Sequence, residues 1–176
     1  STTRFQFDKN NQTLLETKPL GQTLSYAYSA LGQQITETDS LGQVAKFIYD
    51  INGRQTQTEF YLNAQKMNAG VDNAQKVIRY NYDEAGWLKG YSDGQTTSLY
   101  NYDDAGRLLN ETVNFGAFSK TLAYTYFKNG KRKTYTNGDG KTYRYQYDQA
   151  NRFTSLTLPD NKRIAVNEHQ WQVPKK

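Results

Sequence analysis

Tyr100-Asn101-Tyr102-Asp103-Asp104-Ala105-Gly106-Arg107-Leu108 decides the fold. The two rings stand two residues apart, so in an extended chain both project from one face. Asn101, between them, faces the other way. Asp at the opening of a four-residue bend and Gly at its close are the signature of a type I turn. A left-handed Gly at that position also fits the bulged hairpin connection. The stretch reads as a strand running into a chain reversal.

The same words recur along the chain. Strong copies are Tyr80-Asn81-Tyr82-Asp83-Glu84-Ala85-Gly86-Trp87-Leu88, Phe47-Ile48-Tyr49-Asp50-Ile51-Asn52-Gly53-Arg54 and Tyr145-Gln146-Tyr147-Asp148-Gln149-Ala150-Asn151-Arg152. Weaker copies start at Phe5, Tyr26 and Tyr124, and a degraded one runs from Ile164 to Trp171. The positions equivalent to Asp fall at 8, 29, 50, 83, 103, 127, 148 and 167. Their intervals are 21, 21, 33, 20, 24, 21 and 19 residues, so a period near 21 is sustained. The long interval holds an insertion within about 61–76, as expected where one unit of an array is lengthened by a loop. The opening position is Asp, Asn or Ser in seven of eight copies, Phe127 being the exception. The closing position is Gly or Asn in seven of eight, Gln170 being the exception. Gly and Asn are the residues that tolerate positive φ.

A second bend lies midway between units, at Leu20-Gly21-Gln22-Thr23, Leu41-Gly42-Gln43-Val44, Asp93-Gly94-Gln95-Thr96, Asp139-Gly140-Lys141-Thr142 and Asp160-Asn161-Lys162. Two bends per unit make two strands per unit, hence an all-β meander of tandem antiparallel hairpins. Eight copies give roughly sixteen strands, spanning about 75 Å at ~4.8 Å per strand. Twist accumulates in so long a sheet, which predicts a curved or spiralling single layer. Rows of Tyr from neighbouring hairpins would supply packing, with Arg54, Arg107 and Arg152 over the rings. The expected organisation is one array over residues 1–176, cut from a longer protein because Ser1 opens directly on a strand-like pattern.

Composition agrees. Mean hydropathy is −0.92, low enough for disorder, yet 15 Tyr, 8 Phe and 2 Trp supply the contact area of a folded sheet. No stretch shows a convincing 3.6-residue period. Cysteine is absent, which excludes disulfides and thiolate metal sites. No apolar run is long enough for a membrane helix or a signal peptide. The net charge of +5 reads as spread along the chain, with clusters at Lys131-Arg132-Lys133 and Lys175-Lys176, and as a solvated face more than a nucleic-acid footprint.

Tyr-Asn-Tyr-Asp-x-Ala-Gly-Arg-Leu at a spacing near 21 resembles the YD repeat of the RHS family, which includes bacterial Rhs polymorphic toxins, the C component of insecticidal toxin complexes, wall-associated proteins and teneurins. The resemblance covers nearly the whole chain and is most specific over 80–88 and 100–108. It implies a segment of hollow β-shell that encloses or displays a toxin or effector domain. It implies an exported bacterial protein, secreted or at the cell surface, active in bacterial competition and often delivered by type VI secretion. The implied partners are flanking repeats and the enclosed effector. The family's self-cleaving DPxG-type segment has no counterpart here; Leu158-Pro159-Asp160 has Pro and Asp in the wrong order and lacks the Gly.

The residues so singled out carry structure, not chemistry: Tyr80, Tyr82, Asp83 and Gly86; Tyr100, Tyr102, Asp103, Gly106 and Arg107; Tyr49, Asp50, Gly53 and Arg54; Tyr145, Tyr147, Asp148 and Arg152. An Asp repeated at a turn position reads as a turn cap, since a catalytic carboxylate is needed once. The single His169 lies in the degraded copy, and neither a Cys nucleophile nor a phosphate loop is present. No catalysis, metal or cofactor is expected. The alternative is a carbohydrate-binding or adhesion module that stacks sugars on the Tyr rows, the interleaved Asn, Gln and Thr bonding their hydroxyls. Nucleic-acid binding has no motif to support it. Unpaired edge strands predict self-association.

Overall fold

The computed structural model describes residues 2–166. Fifteen strands form a sheet whose order is that of the sequence. They are β1 (Arg4–Phe7), β2 (Thr13–Thr17), β3 (Thr23–Tyr28), β4 (Gln34–Asp39), β5 (Val44–Tyr49), β6 (Gln55–Tyr61), β7 (Lys76–Tyr82), β8 (Leu88–Ser92), β9 (Thr97–Tyr102), β10 (Leu108–Asn114), β11 (Ser119–Tyr126), β12 (Arg132–Thr136), β13 (Thr142–Tyr147), β14 (Phe153–Thr157) and β15 (Arg163–Ala165). The chain divides into two compact units, Ser1–Thr97 and Ser98–Lys176. The all-β meander expected from the repeat is what the chain forms. The turn of the degraded eighth copy, with His169 and Gln170, lies outside the described residues, as does any sixteenth strand.

In both units the hairpins that follow the paired rings share one geometry. In β5–β6 the Gly53 amide donates to the Asp50 carbonyl (3.0 Å) and the Asp50 amide donates to the Arg54 carbonyl (2.9 Å). That is a type I turn closed by a left-handed residue, with Gly53 at φ 79°. The Asp83, Asp103, Phe127 and Asp148 turns repeat both bonds. The closing residue is Asn11, Gly32, Gly86, Gly106, Gly130 or Asn151 elsewhere, at φ between 61° and 88°.

The midway bends are of two kinds, a distinction the sequence reading did not draw. Those opening at Lys18, Asp39, Asn137 and Leu158 repeat the bulged geometry, with Gly21, Gly42, Gly140 and Asn161 left-handed. The bend near 139 thus opens at Asn137, two residues before the Asp expected to open it. The Asp93–Thr96 and Phe115–Phe118 bends are tighter two-residue loops with Gly94 and Gly116 first, the II′ arrangement. The second of these went unread in the sequence.

Six of the ring-bearing hairpins also carry a β-bulge. Tyr49 faces Gln55 while Ile48 faces Gln57, so Thr56 is the extra residue. Equivalent shifts fall between Gln6/Phe7, Ala27/Tyr28, Asn81/Tyr82, Thr125/Tyr126 and Gln146/Tyr147. A bulge bends its strand and raises its right-handed twist locally. No sequence signal marked it, because the extra position holds Leu14, Ile35, Thr56, Lys89, Lys133 or Thr154.

The insertion joins β6 to β7. It contains a short helix, α1 (Ala64–Asn68), and a 3₁₀ turn over Val71–Asn73. The sequence reading had only a loop here; five residues are too few to show a helical period. The Asn63 side chain caps α1 by accepting from the Lys66 amide at 3.0 Å. The helix packs on β5 and β6. The two buried hydrophobic residues among those described, Val44 and Tyr61, face each other at the end of β5–β6 that leads into the insertion.

Exchange of Gly53 tests the turn. Gly53→Asn, which puts at this position the residue found at 11 and 151, is expected to leave stability nearly unchanged. Gly53→Val, forced to φ 79°, is expected to lower it by about 1–2 kcal/mol. The midpoint of urea denaturation reads both.

Candidate functional site

The repeated residues meet at the turn edge. Asp50 caps its own turn: Oδ1 accepts from the amides of Asn52 and Arg54, both at 2.9 Å. Its Oδ2 accepts from Arg54 Nε at 2.7 Å. Asp103 does the same toward Ala105 and Arg107, and Asp148 toward Arg152. Asp8 and Asp83 cap in the same way, and Ser29 substitutes its hydroxyl at 3.2–3.3 Å. Phe127 has no acceptor; there Asn129 Oδ1 takes the Lys131 amide at 3.2 Å.

These bonds hold the carboxyls of Asp50, Asp103 and Asp148 below their ordinary range. For Asp50 and Asp148 the leading cause is the backbone amide of the partner arginine, and for Asp103 it is the Arg107 side chain. The carboxyls stay apart, one per turn, and among the described residues no three His, Cys, Asp or Glu come close enough to hold a metal ion.

Two contacts then join one hairpin to the next. Arg54 lies over the Tyr82 ring at 5.1 Å and donates from Nη1 to the Asp83 carbonyl at 3.4 Å. Arg107 lies over Tyr126 at 5.0 Å and donates to the Phe127 carbonyl at 3.3 Å. Gln12 reaches forward in the same sense, to the Gly32 carbonyl at 3.2 Å. In the reverse direction, the hydroxyl of the second ring donates to a backbone carbonyl of the preceding hairpin: Tyr28 to Thr13 (2.9 Å), Tyr49 to Gln34 (2.7 Å), Tyr82 to Gln55 (2.8 Å) and Tyr126 to Leu108 (2.8 Å). Sequence reasoning assigned these tyrosines to ring stacking and missed the clamp. The only available signal was the hydroxyl itself: among the described copies, the second ring is Phe only at Phe7, in β1.

The first rings behave differently from copy to copy. Tyr124 stacks on Tyr135 at 5.5 Å, and Tyr135 on Tyr143 at 5.7 Å, a row across β11, β12 and β13. Tyr80 and Tyr91 are tilted at 6.3 Å, and Tyr145 is tilted against Phe153 at 6.3 Å. Tyr26 and Tyr100 instead donate to Glu16 and Glu111, each at 3.2 Å. Tyr147 meets Phe127 edge-on at 6.1 Å. Beside this pair, Lys128, Asn129, Asp148 and Asn151 complete an open cleft of about 380 Å³.

The basic run is absorbed by rings: Lys131 lies over Tyr147, Arg132 over Tyr124 and Tyr145, and Lys133 over Phe127, all within 5.0–6.0 Å. The positive excess is not spread evenly, as the sequence had suggested. Residues 98–176 hold 13 Lys and Arg against 7 Asp and Glu, whereas residues 1–97 hold 9 against 10.

One buried polar cluster had no sequence signal. Glu59, 2% exposed, accepts from Tyr61 (2.6 Å) and Gln57 (2.6 Å) and pairs with Lys46 (3.2 Å). Burial disfavours its charge, but these three partners more than offset that and hold its pKa below the usual value. Burial, then the Glu59 bond, pushes the Tyr61 hydroxyl up to about 12. Glu59 and Tyr61 meet only because alternate residues of β6 share a face and Lys46 lies opposite Glu59 in β5.

Three measurements follow from this geometry. Tyr82→Phe removes the clamp on Gln55 and is expected to cost about 1 kcal/mol in urea denaturation. Asp103→Asn keeps an Oδ1 acceptor and loses only the ion pair, so its loss should be smaller than that of Asp103→Ala. The lowered carboxyls contribute stability that is complete above the unfolded value of about 3.9 and disappears as pH falls through the folded ones. Tyr61 is raised, so its contribution is complete below pH ~10 and is lost as pH rises toward its folded value. The urea midpoint should thus be level at neutral pH and fall below about pH 4 and above about pH 10.

Comparison with known proteins agrees with this geometry. The Teneurin YD-shell family profile matches residues 65–171, and the RHS Repeat profile matches residues 7–44 and 28–59. No curated protein sequence matches the chain. Among solved structures, TcdB2-TccC3 superposes over 92% of this chain with a TM-score of 0.59 at 12% identity, and TcdB2-TccC3-TEV over 92% with a TM-score of 0.61 at 15% identity. A Tc holotoxin pore structure from Photorhabdus luminescens with a TccC3 mutation matches over 89% with a TM-score of 0.54 at 13% identity. The chain spans only 10–12% of the length of those chains. With the profile matches and the shared fold, this chain belongs to the RHS/YD-repeat shell family.

Proposed function

We propose that this chain is a length of structural wall in a larger β-shell, one that encloses or displays a toxin or effector domain of an exported bacterial protein. In this reading the segment itself performs no catalysis. The single observation that carries it is the two-way clamp at the turn edge. Between β5–β6 and β7–β8, the later hairpin gives the Tyr82 hydroxyl back to the earlier one, and the earlier gives Arg54 forward to the later. Contacts of that kind involve only nearest neighbours and can propagate without limit, which is how repeat arrays are stabilised. The repeated carboxylates of Asp50, Asp103 and Asp148 support the same reading, because they are occupied in capping turns and in ion pairs. Flanking repeats would extend the sheet, and the enclosed effector would contact one of its faces. Among the described residues no helix is long and apolar enough to cross a membrane.

Limited proteolysis of the full-length parent protein tests this. An enclosed domain should resist cleavage in the intact protein and become sensitive when one hairpin pair, residues 103–147, is deleted. Equal sensitivity of that domain in both proteins would contradict the wall reading.

A further inference from the structure

The turn pair at 127 and 148 departs from the repeat. Elsewhere an arginine spans the gap between neighbouring ring-bearing turns, as Arg54 does toward Asp83 and Arg107 toward Phe127. Its own turn acid holds it, Asp50 for Arg54 and Asp103 for Arg107. Here the acid position is Phe127 and the arginine position is Lys131. Lys131 reaches over the Tyr147 ring at 5.8 Å, but among the described residues its ammonium bonds no carbonyl of the next turn. The gap therefore stays open, as the cleft of about 380 Å³ lined by Phe127, Lys128, Asn129, Tyr147, Asp148 and Asn151.

The cleft is chemically one-sided. Phe127 and Tyr147 meet edge-on at 6.1 Å and supply its apolar surface. Lys128 is exposed in the lining, Lys131 lies over Tyr147, and Lys133 lies over Phe127 at 6.0 Å. None of these three ammonium groups makes an ion pair among the described residues. A ring face attracts a cation without neutralising it. The one carboxylate of the lining, Asp148, is committed to Arg152, accepting from its backbone amide at 2.9 Å and from Nε at 2.7 Å. Asn129 donates from Nδ2 to Asn151 Oδ1 at 2.6 Å, which ties the two turns together. Asn151 Nδ2 has no acceptor among the described residues. The Tyr147 hydroxyl is likewise unbonded among them, whereas those of Tyr28, Tyr49, Tyr82 and Tyr126 each reach a carbonyl. Donors and positive charge are thus in excess beside two apolar rings.

We propose that this cleft binds a small aromatic acid, a planar system of one or two rings carrying a carboxylate or sulfonate. Its volume lies in the range of small-molecule sites, roughly 300–1,000 Å³. The ligand ring would cover Phe127 and Tyr147, and its acid would meet Lys128 and Lys131 in charge-assisted bonds. An inorganic anion would leave the rings uncovered. A cation would meet three like charges, and a neutral polar molecule would leave those charges unmatched. The proposal is independent of the wall reading, since it concerns one pair of turns and not the array.

Heteronuclear NMR titration of the 176-residue chain with naphthoate tests it. The amides of Lys128, Asn129 and Asn151 should shift saturably, with affinity falling as salt rises. Naphthylmethanol keeps the rings without the charge, and cyclohexanecarboxylate keeps the charge without a flat ring. Each should bind more weakly by about fivefold or more. Acetyl-Gly-Phe brings the same chemistry at the end of a peptide: tighter binding than naphthoate assigns the site to a chain terminus, weaker binding to a free small molecule. Lys128→Gln with Lys131→Gln should lose about fivefold in affinity, the loss of two exposed charge contacts. Phe127→Asp with Lys131→Arg restores the acid and arginine found at 103 and 107, and should abolish binding without lowering the urea midpoint. Lys9→Gln with Lys18→Gln removes two exposed charges from the other unit and should leave affinity unchanged, with circular dichroism confirming that all three double variants fold. Absence of saturable shifts at 128, 129 and 151, equal binding of either naphthoate analogue, or unchanged affinity in both cleft variants would each overturn the proposal.

Discussion

The structure depends on one small hydrogen-bonded object, the turn in which a carboxylate accepts the amides two and four residues ahead while the residue between them turns left-handed. Asp50 with Gly53 and Asp103 with Gly106 are its clearest forms. The carboxylate satisfies amides that a reversal would otherwise leave to solvent, and the left-handed residue gives the connection a twist that suits the strands it joins. Because the turn is local, it forms wherever its few residues recur. A chain with only Val44 and Tyr61 as buried hydrophobic residues among those described can therefore still form fifteen paired strands.

Order between hairpins comes from polar contacts more than from an apolar interior. The tyrosine hydroxyls at 28, 49, 82 and 126 reach carbonyls of the preceding hairpin, and the guanidinium groups of Arg54 and Arg107 bridge to the following one. A Tyr is suited to this position because its ring covers the pleat while its O–H bonds the backbone beyond. The arginine is placed by its own turn: the Asp at i holds Nε, which leaves Nη1 directed at the next copy. One residue pair thus caps, bridges and covers a ring.

The two units use the same repeat with different chemistry. In the first, the insertion between β6 and β7 accompanies a buried acid, Glu59, satisfied by Tyr61, Gln57 and Lys46. In the second, aromatic rows and cations over rings occupy one side, while threonines paired across strands occupy the other. The repeat fixes backbone geometry and leaves the residues between the turns free to vary. That freedom is what lets one scaffold present unlike surfaces.

The turn and its period were legible in the sequence because they are decided within five residues. Asp or Ser opening, Gly or Asn closing, and rings two apart specify a hairpin whatever lies beyond it. Lys18, Asn137 and Leu158 open turns of the same geometry without a carboxylate, so the left-handed closing residue, and not the acid, is the part the backbone requires. Tertiary structure alone decided which carbonyl each tyrosine hydroxyl meets, where Arg54 and Arg107 lie, that Glu59 and Tyr61 are buried together, and that Arg144 and Arg163 share a row. The tyrosine and arginine contacts join residues 15 to 29 positions apart, and the others depend on strands set side by side in a register fixed by recurrent bulges, and a bulge has no residue signature. A local turn is written in its own residues, whereas a cross-strand neighbour is set by the accumulated offset of every turn and bulge between the two.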